Sequence, residues 1–159
     1  PDLQWIGGDL NEPQSYRQAV RRAELIVHAG ALVKLRNGPE FYPQNVDATR
    51  HLVQVAADAR DLHRFVFVGS ISAYDRQWAA DGHAVVNGPL SETSYPHPRT
   101  DYGQSKLQAQ QIVEESGLPY AVAVPGYIYG PHPRLPRVSF PWSEVHYGVW
   151  KCHHGSWPR

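Results

Sequence analysis

Tyr102 and Lys106 stand four residues apart in the stretch TDYGQSKLQ, which has the pattern of a helix. Residues at this spacing are neighbours on one helical face, so the lysine ammonium would favour the tyrosine phenolate and make Tyr102 a usable general acid or base. Ser70 follows an apolar run and could donate a hydrogen bond to a developing alkoxide or a carbonyl oxygen. Together these side chains could move a proton on a carbon–oxygen bond, although the Tyr-x-x-x-Lys spacing alone is a weak motif.

The elements that must position these side chains alternate between short apolar runs and amphipathic stretches. This alternation is typical of βαβ units, so the sequence predicts an α/β fold with a doubly wound parallel sheet. Predicted strands cover residues 3–7, 24–28, 65–68 and 120–124. Predicted helices cover residues 14–22, about 43–59, and the stretch that contains Tyr102 and stops at SGLP.

The helical periodicity places two polar side chains on inward faces. At about 100° per residue, Lys106 shares a stripe with Tyr102, Ala109 and Val113, so it should face the sheet. Asn45 shares a stripe with apolar residues of its own helix, which predicts a buried amide that must be hydrogen-bonded. For Asn45, a structural role and a catalytic role remain equally open.

Ligands of a doubly wound sheet bind outside the carboxyl ends of its strands. Small and polar residues collect at all four predicted strand ends, in the stretches GDL, HAGA, GSISAY and PGYIYGP. Such residues let a ligand approach the backbone. Taken singly, each stretch is more simply interpreted as an ordinary loop, so the indication comes from the set.

Composition narrows the classes of function. The 159 residues carry 15 basic and 15 acidic side chains, so neither nucleic acid nor an anionic membrane is an expected partner. No apolar run approaches the length of a membrane span, and the single Cys152 excludes an internal disulfide, so we expect a cytoplasmic protein. The His- and Cys-rich end at residues 146–154 fits no standard zinc spacing, and no metal site is predicted.

In this order, the motifs resemble the extended branch of the short-chain dehydrogenase/reductase superfamily, the NAD-dependent epimerase/dehydratase family. GGDL is similar to the end of that family's third strand, HAGA to the turn beside the adenosine ribose, and NVDATRHLV to its Asn-x-x-Gly-Thr helix. RFVFVGSISAY resembles the strand that carries the catalytic serine, YGQSK the Tyr-x-x-x-Lys element, and PGYIYGP the segment against the nicotinamide. The resemblance extends from about residue 4 to residue 131.

The resemblance implies NAD or NADP as the cofactor and a hydroxyl or carbonyl group of a small molecule as the substrate. Tyr102 would exchange the hydroxyl proton, and Lys106 would bind the nicotinamide ribose. Ser70 would hold the substrate oxygen, and Asn45 would order the site. The cofactor-binding residues implied by the same motifs are Asp9, Leu10, Ala29, Gly30, Ala31, Tyr102, Lys106 and Pro125.

The sequence also departs from the family pattern. The Gly-x-x-Gly-x-x-Gly phosphate loop, the first βαβ unit and the C-terminal substrate lobe are missing, so residues 1–131 are predicted as a partial NAD(P)-binding Rossmann-like domain. Residues 132–159 are predicted as an irregular, divergent tail. Tyr127 and Val124 replace the Asn and Arg that are usual in nucleotide-sugar members, which leaves a less polar substrate open.

Two other interpretations stay open. One is a non-enzymatic relative that uses the fold as a dinucleotide sensor or an assembly subunit, against which the presence of Ser70, Tyr102 and Lys106 argues. The other is an inactive fragment of a longer protein, whose full-length form would carry the activity and could be a homodimer.

Without the phosphate loop, this chain alone should bind NAD or NADP poorly or not at all. Calorimetric titration of the purified chain with each dinucleotide should therefore show no measurable binding, because the pyrophosphate has no cradle of backbone N–H groups. Micromolar affinity for either dinucleotide would contradict this prediction.

Overall fold

The computed structural model describes residues 3–33, 38–74, 77–78, 84–85, 90, 92–126 and 149–152. Its strands are β1 (Leu25–His28), β2 (Arg64–Val68), β3 (Gln77–Trp78), β4 (Ala84–Val85), β5 (Tyr120–Val124) and β6 (Val149–Cys152). Its α-helices are α1 (Arg17–Val20), α2 (Ala48–Ala56) and α3 (Asp101–Glu114). Two 3₁₀ turns, Pro13–Ser15 and Ile71–Tyr74, and a π-helical stretch, Tyr42–Asp47, complete the described helical elements.

The main sheet has the strand order β1-β2-β5-β6. The first three strands are parallel, with Ile26 opposite Phe65 and Phe67 opposite Val122. Because these three strands run in the same direction and pair along their length, their carboxyl ends lie along one edge of the sheet. β6 joins β5 in antiparallel pairing, and β3 and β4 form a separate small hairpin.

Helices α2 and α3 cover one face of this sheet and form the core with it. Phe65 and Phe67 of β2 are fully buried beneath Ala56 and Val113, and Leu52 joins the same cluster. Each fully buried phenylalanine contributes about 1.5–3 kcal/mol of hydrophobic stabilisation. The core therefore fixes α2 and α3 over the middle of the sheet.

The opposite face of β1 is open in the described part of the chain. Its side chains alternate, so that Ile26 and His28 are buried while Leu25 and Val27 are each 59% exposed. This period of two is what a strand with one covered face requires. The fold therefore places an apolar strip at the surface of β1.

Helix α3 begins and ends on recognisable signals. The Thr100 hydroxyl caps the helix by accepting a hydrogen bond from the Gly103 N–H at 3.0 Å, and Asp101 adds an acid to the first turn. Beyond the helix, Gly117 adopts a left-handed φ of 74° before Pro119. Lys106, Ala109 and Val113 are buried, as the predicted stripe requires, and Tyr102 at its start is half-buried.

The helix predicted at about residues 43–59 is present but begins with a wider turn. The Ala48 N–H donates to the Pro43 carbonyl five residues back, which is the π-helical pattern, and α2 follows. Pro43 has no N–H to donate and therefore fits the first turn. The wider turn contains Asn45, whose side chain is buried as predicted.

The structure also differs from the predicted elements. The predicted strands at residues 24–28, 65–68 and 120–124 are confirmed, but residues 3–7 form no strand. A strand needs a partner for its backbone groups, and no described strand pairs with this segment, where Leu3 and Trp5 are largely exposed. The helix predicted at 14–22 is shortened to a 3₁₀ turn and α1.

Residues 149–152 were predicted within an irregular tail, yet they form β6 on the open edge of β5. That edge would otherwise leave a row of unpaired backbone groups, which favours strand addition. Tyr127, which belongs to the predicted domain, and the rest of the predicted tail, at residues 132–148 and 153–159, lie outside the described residues. The division at residue 131 stays a prediction.

Within the described ranges, no helix combines the length and the apolar character that crossing a membrane requires. The same residues contain no group of three or more His, Cys, Asp or Glu side chains arranged to hold a metal ion.

The packing of α3 on the 3₁₀ turn Ile71–Tyr74 depends on the absence of a side chain at Gly103. A Cβ atom there would lie 2.3 Å from the Ser72 carbonyl oxygen, which belongs to the backbone and cannot easily move. Gly103→Ala should therefore destabilise the fold by up to about 2 kcal/mol net, since overpacking against a backbone atom costs about 1–3 kcal/mol and the gain in helix propensity is about 1 kcal/mol. Urea unfolding of the two proteins measures the difference.

Gly7→Ala is the matched control, because a Cβ at Gly7 meets nothing within 4 Å. A Gly103→Ala protein as stable as the Gly7→Ala protein would show that α3 is not held against Ser72.

Candidate active site

The backbone joins two of the predicted site segments at the carboxyl edge of the sheet. The Gly69 N–H donates to the Ala123 carbonyl at 2.7 Å, and the Ile71 N–H donates to the Pro125 carbonyl at 3.1 Å. These bonds continue the pairing of β2 with β5 past the ends of both strands. Ser70, which lies between the two donors, is therefore held beside Pro125.

Ser70 is buried and closes the 3₁₀ turn that follows it. Its hydroxyl oxygen accepts from the Ser72 N–H at 3.2 Å, and its carbonyl accepts from the Ala73 N–H at 3.1 Å. The hydroxyl thus acts as an acceptor within the turn, which leaves its own proton to be donated to another oxygen.

Lys106 crosses from α3 to the end of β2. Its ammonium donates to the Val68 carbonyl at 2.8 Å and lies 4.4 Å from the centre of the Phe67 ring. Both partners favour the charged form, but burial dominates and lowers the lysine pKa to about 8. The Lys106 ammonium is therefore held at the Val68 carbonyl, two residues before Ser70, and it remains charged near neutral pH.

Tyr102 lies on the first turn of α3. Its ring packs edge-on against the fully buried Phe41 with centroids 5.7 Å apart, and its neighbour Gly103 contacts the turn that follows Ser70. Within the described residues, the Tyr102 hydroxyl makes no direct hydrogen bond to Ser70 or Lys106. The side-chain contacts thus join Lys106 to the strand that precedes Ser70, whereas the Tyr102 side chain contacts Phe41.

Asn45 connects the turn after β1 to α3. Its side-chain oxygen accepts from the Leu32 N–H at 2.7 Å, and its amide nitrogen donates to the Leu32 carbonyl at 3.2 Å and to the Ser105 hydroxyl at 2.9 Å. The buried amide is thus fully bonded, as its predicted inward position requires. These contacts favour an ordering role for Asn45.

His28, at the end of β1, is buried next to Thr49. The Thr49 hydroxyl donates to the Asn45 carbonyl at 2.6 Å, so it accepts from His28 Nε2 at 2.9 Å, and the imidazole is protonated on that nitrogen. Burial and, to a lesser extent, the Lys106 charge lower the His28 pKa to about 4. The ring is therefore neutral and acts as a donor at neutral pH.

The two predicted adenosine-side segments lie next to each other. A Cβ at Gly30 would come within 3.2 Å of the Leu10 side chain, so the turn at 29–31 packs directly on the segment after Gly8. Ala29, Gly30 and Asp9 are exposed, while Ala31 and Leu10 are half-buried. The Asp9 carboxylate accepts from the Asn11 N–H at 2.8 Å, which fixes its direction.

The residue that sequence reasoning missed is Ser105. It is fully buried between Asn45 and the Tyr102 carbonyl. Its position directly before the inward-facing Lys106 was the available signal, but its partner Asn45 lies 60 residues away and no spacing rule connects them.

Comparison with known proteins gives a consistent result. Residues 2–148 match the NAD-binding family described as male sterility protein. The chain is 31% identical over 147 residues to the L-2-aminoadipate reductase large subunit of Penicillium chrysogenum, covering 80% of this chain and 10% of that protein. It is 32% identical over 131 residues to sterol demethylase protein B of Methylococcus capsulatus, covering 78% and 38%.

Among solved structures, it resembles DesIV, a dTDP-glucose 4,6-dehydratase of Streptomyces venezuelae solved with NAD bound. The identity is 25%, the TM-score is 0.67, and the alignment covers 82% of this chain and 40% of that one. The chain thus spans 10–38% of the length of the two curated relatives.

The buried neutral His28 makes stability depend on pH. The unfolded chain binds a proton at this residue below about pH 6.5, whereas the folded protein binds it only below about pH 4. The free energy of unfolding should therefore fall as the pH drops from about 6.5 to about 4. Above about pH 6.5 the imidazole is neutral in both states, so His28 causes no pH dependence there. Thermal unfolding at several pH values should show a shallower acid decline in His28→Gln.

The control is His63→Gln, which changes an exposed histidine and should keep the wild-type decline. Parallel declines in His28→Gln and the wild type would show that His28 is not held neutral.

Proposed function

The chain belongs to the NAD-binding family described as male sterility protein, part of the extended short-chain dehydrogenase/reductase group, and on this premise we propose that it forms the catalytic edge of an NAD(P)-dependent oxidoreductase. The substrate is a small molecule with a hydroxyl or carbonyl group. The observation that carries the proposal is the hydrogen bond from Lys106 to the Val68 carbonyl. It ties the helix that carries Tyr102 to the strand end that carries Ser70.

The residues at this edge are suited to a nicotinamide dinucleotide. Ala29 and Gly30 leave the backbone of their turn open, and a larger residue at Gly30 would press on Leu10. Leu10, Asp9 and the turn at 29–31 would hold the adenosine half, and Pro125 and Lys106 would lie beside the nicotinamide half. The bound cofactor supplies or accepts a hydride at the substrate carbon.

The side chains of the chain then move and hold the proton. In the direction of reduction, Tyr102 gives its hydroxyl proton to the substrate oxygen, and the Lys106 ammonium stabilises the phenolate that remains. The Ser70 O–H donates to the same oxygen and stabilises the charge that develops there. In the direction of oxidation, the Tyr102 phenolate takes the proton back.

The relatives support two types of reaction as candidates. The 31% identity to a reductase subunit supports reduction of a carbonyl group as the first candidate. The likeness to DesIV supports a dehydratase or epimerase as the second, in which the same tyrosine and lysine would act. A cytoplasmic location and a homodimer of the natural protein stay predictions from the sequence.

Tyr102→Phe in the natural protein that contains this chain tests the proposal. Removal of the proton donor should lower turnover by about 10²–10⁴-fold while binding of the dinucleotide stays near the wild-type level. Turnover is measured from the absorbance of the reduced nicotinamide with a panel of aldehydes and ketones, and cofactor binding by calorimetry.

The matched control is Tyr95→Phe, which removes the same hydroxyl from a side chain that is 90% exposed and should keep full turnover. Unchanged turnover in Tyr102→Phe would contradict the proposed mechanism. A natural protein that binds the dinucleotide but turns over neither this panel nor nucleotide-sugar substrates would favour the sensor.

A further inference from the structure

Ser105 occupies a position that packing alone does not explain. It is a polar side chain with 0% exposure, directly before Lys106 in the sequence. Its hydroxyl donates to the Tyr102 carbonyl at 2.8 Å and accepts from the Asn45 amide at 2.9 Å. In an α-helix, that carbonyl also accepts the N–H four residues on, which is the N–H of Lys106. The serine hydroxyl thus bonds to the Tyr102 backbone and shares that acceptor with the Lys106 N–H.

The same hydroxyl is one end of a buried link to the turn after β1. Both amide hydrogens of Asn45 are used, one by Ser105 and one by the Leu32 carbonyl, and the Asn45 oxygen accepts from the Leu32 N–H. Leu32 directly follows the turn at 29–31 that would hold the cofactor. Three side-chain and backbone groups therefore connect that turn to the first turn of α3 with no exposed member between them.

Geometry of this kind controls how two elements are aligned. A buried amide whose donors and acceptor are all satisfied has one favourable orientation, because any rotation leaves a polar group unpaired. Loss of one bond allows the two turns to shift relative to each other, and a displacement of about 1 Å at a reacting centre can cost about 10²-fold in rate.

We propose that Ser105 is a positioning residue for the proposed reaction, holding the first turn of α3 in register with the cofactor-binding turn through Asn45. The proposal rests on the proposed function for its effect on catalysis. Ser105 touches neither substrate nor cofactor in this scheme, and it acts through Tyr102 and Lys106.

Ser116, two residues beyond the end of α3, provides a control with the same kind of hydrogen bond. Its hydroxyl donates to the Val113 carbonyl at 2.6 Å, the same bond to the third residue back, but at the opposite end of α3. An effect that comes merely from losing a serine hydroxyl bonded to a carbonyl of α3 should therefore appear in Ser105→Ala and Ser116→Ala alike. A change in alignment should affect Ser105→Ala alone.

The first measurement is kinetic and uses the natural protein. Ser105→Ala should lower kcat by about 10- to 100-fold and leave the dissociation constant of the dinucleotide nearly unchanged, whereas Ser116→Ala should keep the wild-type kcat. Ser105→Thr, which keeps the hydroxyl, should recover most of the rate. Should Ser105→Ala fail to fold, Ser105→Cys keeps the volume with a much weaker hydrogen-bonding group and takes its place.

The second measurement is amide hydrogen exchange, which needs no turnover. In Ser105→Ala, exchange at Leu32 and in the first turn of α3 should rise together, while Ser116→Ala should raise exchange only near the end of α3.

The outcomes separate this inference from the proposed function. Wild-type kcat in Ser105→Ala overturns the positioning role and leaves the proposed function standing, provided that Tyr102→Phe is inactive. If the wild type has no turnover, the proposed function fails. The exchange at Leu32 then tests by itself whether Ser105 links the two turns. Unchanged exchange there overturns the link, and a joint rise at both turns supports it.

Discussion

The site depends on one buried cation. An ammonium group removed from water is costly, and here the Val68 carbonyl and the face of the Phe67 ring offset part of that cost. The incomplete offset is visible in the lowered pKa of Lys106. Because both partners belong to β2, the charge ties α3, the helix that carries Tyr102, to the end of the strand that precedes Ser70.

The sequence was sufficient for the elements that combine a clear apolar pattern with a partner in the fold. The runs RFVFV and YAVAV pair with each other as β2 and β5, and the stripe through Lys106 identified the inward face of α3. Residues 3–7 have the same apolar character, yet they form no strand, since strand formation depends on a partner and not on composition. The strand at 149–152 shows the converse, because its partner β5 supplies what its sequence does not indicate.

The sequence named candidate residues for the site but not the connections between them. Ser70, Lys106 and Asn45 were candidates from residue type and from a family resemblance that the match over residues 2–148 confirms, and their roles stay predictions. The hydrogen bond from Asn45 to Ser105 and the hydrogen bond from His28 to Thr49 could not, because each joins residues that are distant in the chain. Such contacts arise from the way α2 and α3 pack together, which the spacing of residues along one helix does not encode.

The open face of β1 has a practical meaning for anyone who handles this polypeptide. Leu25 and Val27 expose an apolar strip to solvent, while Ile26 and His28 are buried on the other face of the strand. Threonine at positions 25 and 27 would give both positions a β-branched side chain, which strands prefer, and would make this strip more polar. These two substitutions should reduce aggregation of the polypeptide without changing the core, because the buried residues Ile26 and His28 stay as they are.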